Sequence, residues 1–406
     1  MLIGYMSQIV SSQIQHYLIE HEREDEKLLV LKQKEIHGIP SSIIATQLSG
    51  RRKAKSKLST WYKTHGIIYP PTINLEQCSS EATAIFKAHI VHSYLSSKRV
   101  AADITGGFGV DTFFLSSLFL SVHYAEPNNE LFEITKHNHH QLKASNIIHH
   151  CLTAEHFMKE TNIDFDLVYI DPSRRGEKSQ KVYKLADCFP DITTLQSALF
   201  NKSSFILLKA SPLLDIQQGL REIKQVKKVF VVSVSNECKE VLFLAEKNYE
   251  GEPIVEAIDL FENGLVRSSF CFAMADEKKA HAALGEPNSY LYEPNASILK
   301  SGAFKVIAER FGLTKLDVNT HLYTASLIVP NFPGKVFLVA CLNPDAKRLK
   351  ELLPDDKANV VSRNYPLTPD EIKKKLHLHD GGAKFLIGFS SLKKKHLALC
   401  SRVTGI

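Results

Sequence analysis

Apolar residues recur at three- and four-residue spacing through residues 7–62 (Ile14, Tyr17, Leu18; Leu28, Leu31), with charges crowding the gaps. That periodicity predicts helices. Pro40 followed by two serines predicts a helix restart, with Ser41 or Ser42 as N-cap. The prolines at 70–71 end this segment, and a further helix is expected over 80–97, opened by Ser80. From residue 100 the pattern changes. Short apolar runs at 100–104, 122–126, 146–151, 165–171, 204–209, 229–234 and 240–246 alternate with helix-like stretches. Such alternation predicts a parallel sheet covered on both faces. Only SNECK separates the last two runs, so they should pair as antiparallel neighbours, giving one reversed strand at an edge.

Two more strand-like runs within 253–273 flank ENG, a plausible hairpin turn. The polar stretch DEKKAHAALGEPN reads as a linker, and 290–330 as mixed, with one amphipathic helix in AFKVIAERFG. From Lys335 the order strand, helix, strand, helix, strand, strand describes a small α+β unit. The expected organisation is a helical basic segment (1–75), an α/β domain (76–275), a linker or mixed segment (276–332) and an α+β domain (333–406).

With 44% hydrophobic and 23% charged residues, 406 residues hold ample core for such a chain. The seven cysteines are scattered without a CxxC, which argues against a disulfide framework or zinc site and predicts a reducing cytoplasm. The N-terminus lacks a basic n-region, and the longest near-apolar run, Phe113 to Ala125, is too short to span a bilayer.

The first chemical constellation is VAADITGGFGVD. A buried strand ends at Asp103, and Gly106, Gly107 and Gly109, interleaved with Thr105 and Phe108, open a helix at about Asp111. Glycines there allow a tight turn and close approach to a ligand. Glu126 follows 23 residues after Asp103, at the end of the next strand, ahead of Pro127 and Asn128. In Rossmann-like sheets an acid in that register accepts the hydroxyls of a ribose. Asp103 suits a positively charged methionine moiety, and Ala154 and Glu155, after the third strand, suit an adenine. Any α/β protein can carry a glycine turn; the acid in register is what favours a site.

The second constellation is FDLVYIDPSRRG. Asp171 ends a strand, and Pro172 fixes φ and removes a backbone donor. Acceptors at that sheet edge can hold an amine and orient its lone pair, so that transfer is mainly positioning.

Asp103 to Gly109, Glu126 and Asp171-Pro172 resemble the cofactor loop, ribose acid and catalytic loop of class I S-adenosylmethionine-dependent methyltransferases. The resemblance spans roughly 76–246. It implies a Rossmann-like sheet, S-adenosylmethionine as cofactor, Asp171 and Pro172 orienting the nucleophile, and Ser173 and Arg174 facing the substrate. IYPPTINLEQCSSEATAIFKA also resembles the entry segment of RNA cap guanine methyltransferases, which implies Gln77, Ser79 and Ser80 as cofactor contacts. The whole chain is similar to a bacterial methyltransferase family with a THUMP-like C-terminal domain, carried by RNYPLTPDEIKKKL and GGAKFLIGF. THUMP-type modules bind RNA, so this resemblance implies an RNA substrate. Amine-directed relatives have DPPY or NPPY, and Ser173 and Arg174 depart from that pattern. DPSRRG is also similar to the DPxRxG of 5-methyluridine enzymes, whose cysteine nucleophile would correspond to Cys238, several residues out of place.

Arg51, Arg52, Lys53, Lys55, Lys57 and Lys63 cluster with Trp61 and Tyr62, and no acid occurs from 50 to 75. Cations with stacking rings suit single-stranded nucleic acid; a solvated helix face explains them equally well. Lys373, Lys374 and Lys375, with Lys393, Lys394 and Lys395, make a weaker second patch. His137, His139, His140, His149 and His150 lack zinc spacing and read as polar surface residues. Two other readings stay open: a methyltransferase of a protein or small molecule, and a non-catalytic RNA-binding protein with this fold.

Overall fold

The structure is a computed structural model and describes residues 2–174, 184–392 and 394–405. Arg175 and Lys393 lie outside the described residues, and of Arg174 only the backbone is described. The chain divides into two units. One comprises Met1–Ser235, Lys239–Glu252 and Leu260–Val266, the other Asn236–Cys238, Pro253–Asp259 and Arg267–Ile406.

In the first unit the N-terminal periodicity becomes helices α1 (Ser12–Glu20), α2 (Glu26–Lys32), α3 (Ser41–Lys57) and α4 (Ser59–Lys63), then α5 (Thr72–Gln77) and α6 (Glu81–Tyr94). Ser11, Asp25 and Ser80 cap α1, α2 and α6 by accepting a backbone N–H. At α3 neither serine caps. Pro40 already holds the cap position, and the Ser41 hydroxyl donates to Lys34 O at 3.1 Å. Trp61 on α4 is fully buried, 5.1 Å from the Phe113 ring and 6.3 Å from that of Phe108. Around it, Ile44, Leu48, Leu58 and Ile68 from the helical segment join Phe108, Val110, Leu131 and Ile134 in one core. The expectation of Trp61 as a stacking surface is therefore corrected: the indole is part of the core that seats the helices against the glycine loop.

The sheet of this unit uses β1 (Val100–Asp103), β2 (Ser121–Ala125), β3 (Ile147–His150), β4 (Phe165–Ile170), β5 (Ser203–Ala210), β6 (Val226–Val234) and β7 (Glu237–Glu246). These seven run in the order β3-β2-β1-β4-β5-β7-β6. The pairs β3·β2, β2·β1, β1·β4 and β4·β5 are parallel, and β7 is antiparallel to β5. The reversal follows from a two-residue turn: Ser235 and Asn236 both take positive φ, 50° and 66°, as a tight hairpin requires. β7 thereby slots between β5 and β6, one strand in from the end of these seven. Helices α7 (Val110–Ser116) and α8 (Asn129–Gln141) follow β1 and β2. Order reverses between β1 and β4, so the carboxyl ends of those strands flank a crevice.

The second unit contains most of β8 (Ile254–Leu260) and β9 (Val266–Ala273); the turn that joins them, at Gly264 with φ 83°, belongs to the first. The second unit also contains β10 (Tyr290–Pro294), β11 (Thr314–Asp317), β12 (Thr320–Ala325), β13 (Gly334–Leu342), β14 (Asn359–Arg363), β15 (Lys384–Ser391) and β16 (Lys394–Val403). The last seven form one sheet, ordered β11-β12-β10-β13-β16-β15-β14. Residues 290–325 thus give three strands to the same sheet as the C-terminal α+β segment. Its only parallel pair among the described registers, β14·β15, is bridged by the helix Pro369–Leu376, begun by a Thr368–Glu371 capping box.

Candidate active site

The glycine loop after β1 is shaped by what packs beneath it. A Cβ on Gly106 would lie 2.1 Å from Cε2 of the buried Tyr124, and one on Gly109 2.5 Å from both His139 Nε2 and Thr135 Cγ2. Gly109 also holds φ 72° as it caps α7, a conformation that other residues resist. Tyr124 Oη and Thr135 Oγ1 donate to Gly107 O at 2.6 and 3.1 Å, and His139 Nε2 lies 2.9 Å from Gly109 O. His139 is 1% exposed and its Nδ1 is 3.0 Å from His149 Nε2. Burial drives its pKa down to about 3. This corrects the surface reading of the histidines: His139 is an internal strut of the loop.

Asp103 is 1% exposed at the end of β1. Its Oδ2 accepts from Thr112 Oγ1 at 2.6 Å and its Oδ1 from the Thr105 N–H at 3.1 Å. Burial nevertheless pushes its pKa up to about 7, with Asp111 and Asp171 adding to the effect. Glu126 accepts from Gly107 N–H at 3.0 Å and Asn128 N–H at 2.8 Å, one on each oxygen. It is held above the usual carboxylate range by burial.

Asp171 is tied to the glycine loop directly, because its backbone N–H donates to Thr105 Oγ1 at 2.7 Å. Its Oδ2 receives Lys209 Nζ, from β5, at 2.5 Å. Burial opposes charge on Lys209, but Asp171, Asp111 and Glu240 outweigh it and hold the ammonium above its ordinary range. Behind the pair lies a buried network. Lys87 on α6 is fully enclosed; its Nζ meets both Glu240 oxygens at 2.9 Å, Ser79 Oγ at 3.0 Å and Asp111 Oδ1 at 3.1 Å. Asp111 Oδ2 also accepts from Ser79 Oγ at 2.6 Å and Tyr169 Oη at 2.9 Å. Burial works against ionisation of Asp111, yet Lys87 and Lys209 hold it below the ordinary range.

A cleft of about 960 Å³ opens at this sheet edge. Gln77, Ser79, Asp103, Thr105, Gly106, Gly107, Phe108, Gly109, Asp111, Glu126, Pro127, Asn128, Ala154, Asp171, Pro172 and Ser173 all reach it. Ser80 does not, being occupied as the cap of α6, and neither does Glu155, although its neighbour Ala154 does. Cys238 is also outside the lining, whereas Cys78 and Cys188 are in it. The sequence reading missed Lys209, Lys239, Lys184 and Asn74 in the lining, and Lys87 and Glu240 behind it. Lys209 had a signal: it is the polar residue near the end of the run SFILLK, at the same sheet edge as Asp103, Glu126 and Asp171.

The basic run is largely neutralised from afar. Arg51 and Lys55 reach Glu22 at 3.0 and 3.4 Å, Arg52 pairs with Glu26, and Lys53 with Glu76. Lys57 donates to the Leu75 and Glu76 carbonyls at 2.8 Å. In the second patch Lys373 is paired with Asp370 and Asp380, each at 2.7 Å. The acid-free window of 50–75 concealed partners that arrive from α2 and its approach and from the end of α5.

The strand order, the reversed β7 and the loops after β1, β2 and β4 define the fold of a class I S-adenosylmethionine-dependent methyltransferase. A crystal structure from Porphyromonas gingivalis W83, provisionally described as a methyltransferase, is 29% identical and superposes with a TM-score of 0.84, covering 98% of this chain and 99% of that one. Residues 290–333 match a ferredoxin-like domain model and residues 334–402 a THUMP domain-like model. A smaller protein from Streptococcus mutans, solved with S-adenosylhomocysteine, is 16% identical with a TM-score of 0.31, over 40% of this chain and 95% of that one. No curated protein matches the chain in sequence. Among the described residues no helix is long and apolar enough to cross a membrane.

Proposed function

We propose that this protein transfers a methyl group from S-adenosylmethionine to RNA, with a base exocyclic amine as the acceptor. The observation that carries this reading is one cleft lined by a glycine cradle, a ribose-type acid and a strand-end Asp-Pro. The donor set fits the cofactor: Glu126 uses one lone pair of each oxygen internally and has another for a diol. Asp103 would attract the cationic amino-acid end, Gln77 and Ser79 would border it, and Ala154 would border the adenine. The cofactor supplies an electrophilic methyl on sulfur.

The chain's own part is positioning. Asp171 Oδ2 is engaged by Lys209, which leaves Oδ1 to accept an N–H of the substrate amine and aim its lone pair. Pro172 stiffens the loop, and Ser173 and Arg174 would contact the substrate. RNA is favoured by the THUMP domain-like match at 334–402, which we read as a docking module for the catalytic domain at 76–275. An RNA substrate of this kind places the protein in the cytoplasm. Calorimetry tests the reading: wild type and Asp171→Ala both bind S-adenosylmethionine, and only wild type methylates RNA. An Asp171→Ala variant that retains transfer contradicts the role of Asp171.

A further inference from the structure

The charged side chains lining the cleft are sorted by sign. Asp103, Asp111 and Glu126 come from the end of β1, the start of α7 and the loop after β2. Lys184, Lys209 and Lys239 come from the chain after β4, from β5 and from the start of β7. Among the described residues Asp171 is the one carboxylate on the second side, and it is ion-paired with Lys209. Lys184 and Lys239 are both exposed. Lys239 alternates along β7 with Glu240, whose carboxylate is turned into the buried Lys87 pair. Lys57 is outside the lining; its ammonium donates to two carbonyls, and burial, with Lys209 and Lys239 adding to the effect, holds its pKa below the ordinary range. A cleft wall of one sign concentrates counter-charge at its mouth.

We infer that Lys184 and Lys239 grip a backbone phosphate of a single-stranded nucleic acid and so seat the nucleotide whose base reaches Asp171. This rests on the nucleic-acid methyltransferase reading above and adds the residues that select for the strand. A single strand suits the site because Asp171 and Lys209 lie inside the cleft, with side chains 33% and 13% exposed, and an unpaired base reaches them without the cost of leaving a duplex.

The test is fluorescence anisotropy with end-labelled 12-nucleotide RNA and DNA strands of one mixed sequence. The proteins are full-length wild type, Lys184→Gln/Lys239→Gln and the surface control Lys27→Gln. The double variant is expected to bind the RNA strand about tenfold more weakly at low salt. Its log K against log salt slope should fall by about 0.7 for each phosphate that is no longer neutralised. The control and the calorimetric affinity for S-adenosylhomocysteine should not change. A weakening shared by the DNA strand identifies the phosphate as the group gripped. Equal affinity and equal slope for wild type and double variant overturn the inference. So does a wild type that binds neither strand while still binding S-adenosylhomocysteine, a result that leaves the methyltransferase reading standing. Loss of S-adenosylhomocysteine binding in wild type strikes that reading instead.

Discussion

Lys209 Nζ stands 2.5 Å from Asp171 Oδ2, so the ends of β4 and β5 are joined by an ion pair at the wall of the cleft. The pair fixes the carboxylate that the Asp-Pro loop presents. Lys209→Met is expected to lower kcat by about 100-fold, the order of loss that mispositioning causes, with cofactor affinity kept within about threefold. Lys209→Arg should recover part of the rate. Single-turnover kinetics with calorimetry checks this, and undiminished kcat in Lys209→Met excludes the role.

Lys87 carries the buried charge of Asp111 and Glu240. Lys87→Met removes the cation that touches both and leaves only the Lys209 field, so it should cost about 3–5 kcal/mol of stability. A triple variant that also carries Asp111→Asn and Glu240→Gln should recover much of that. Denaturant melts distinguish the two.

Gly106 faces the Tyr124 ring at a distance that admits no Cβ. Gly106→Ala should destabilise by about 1–3 kcal/mol, the usual cost of overpacking, and weaken cofactor binding by at least about tenfold. A Gly106→Ala/Tyr124→Leu double variant should regain stability more than affinity, as thermal melts and calorimetry would show.

Asp103 has its pKa raised to about 7 by burial. A carboxyl whose folded pKa exceeds its unfolded value adds stability that is fully present below pH 3.8 and is lost as pH rises through about 7. Bound cation reverses the balance, because it favours the ionised form. Affinity for S-adenosylmethionine should therefore rise with pH up to about 7, approaching tenfold per unit below the midpoint, and then level off. Asp103→Asn should flatten the profile. Calorimetry from pH 5.5 to 8.5 measures it.

The cofactor half of the cleft was legible in the sequence because its chemistry is local. Strand, glycine turn and strand-end acid are consecutive, and Asp103, Gly106 and Glu126 announce themselves by register. The substrate half was not, because Lys184, Lys209 and Lys239 are brought together only by strand order. The partners of Arg51 and Arg52 were hidden for the same reason, being about 26 to 29 residues away. His139 was misread because a polar residue on a helix looks solvated until the loop that covers it is known. In the C-terminal region the alternation from 335 onward was clear. Nothing local revealed that 290–325 complete the same sheet, since β10 pairs with β13 across about 40 residues of chain.

The most direct measurement compares nucleoside mass spectra of total RNA from a deletion strain and its parent. The account predicts one methylated nucleoside missing from the deletion strain, restored by the wild-type gene and not by Asp171→Ala. Identical spectra from the two strains would contradict it.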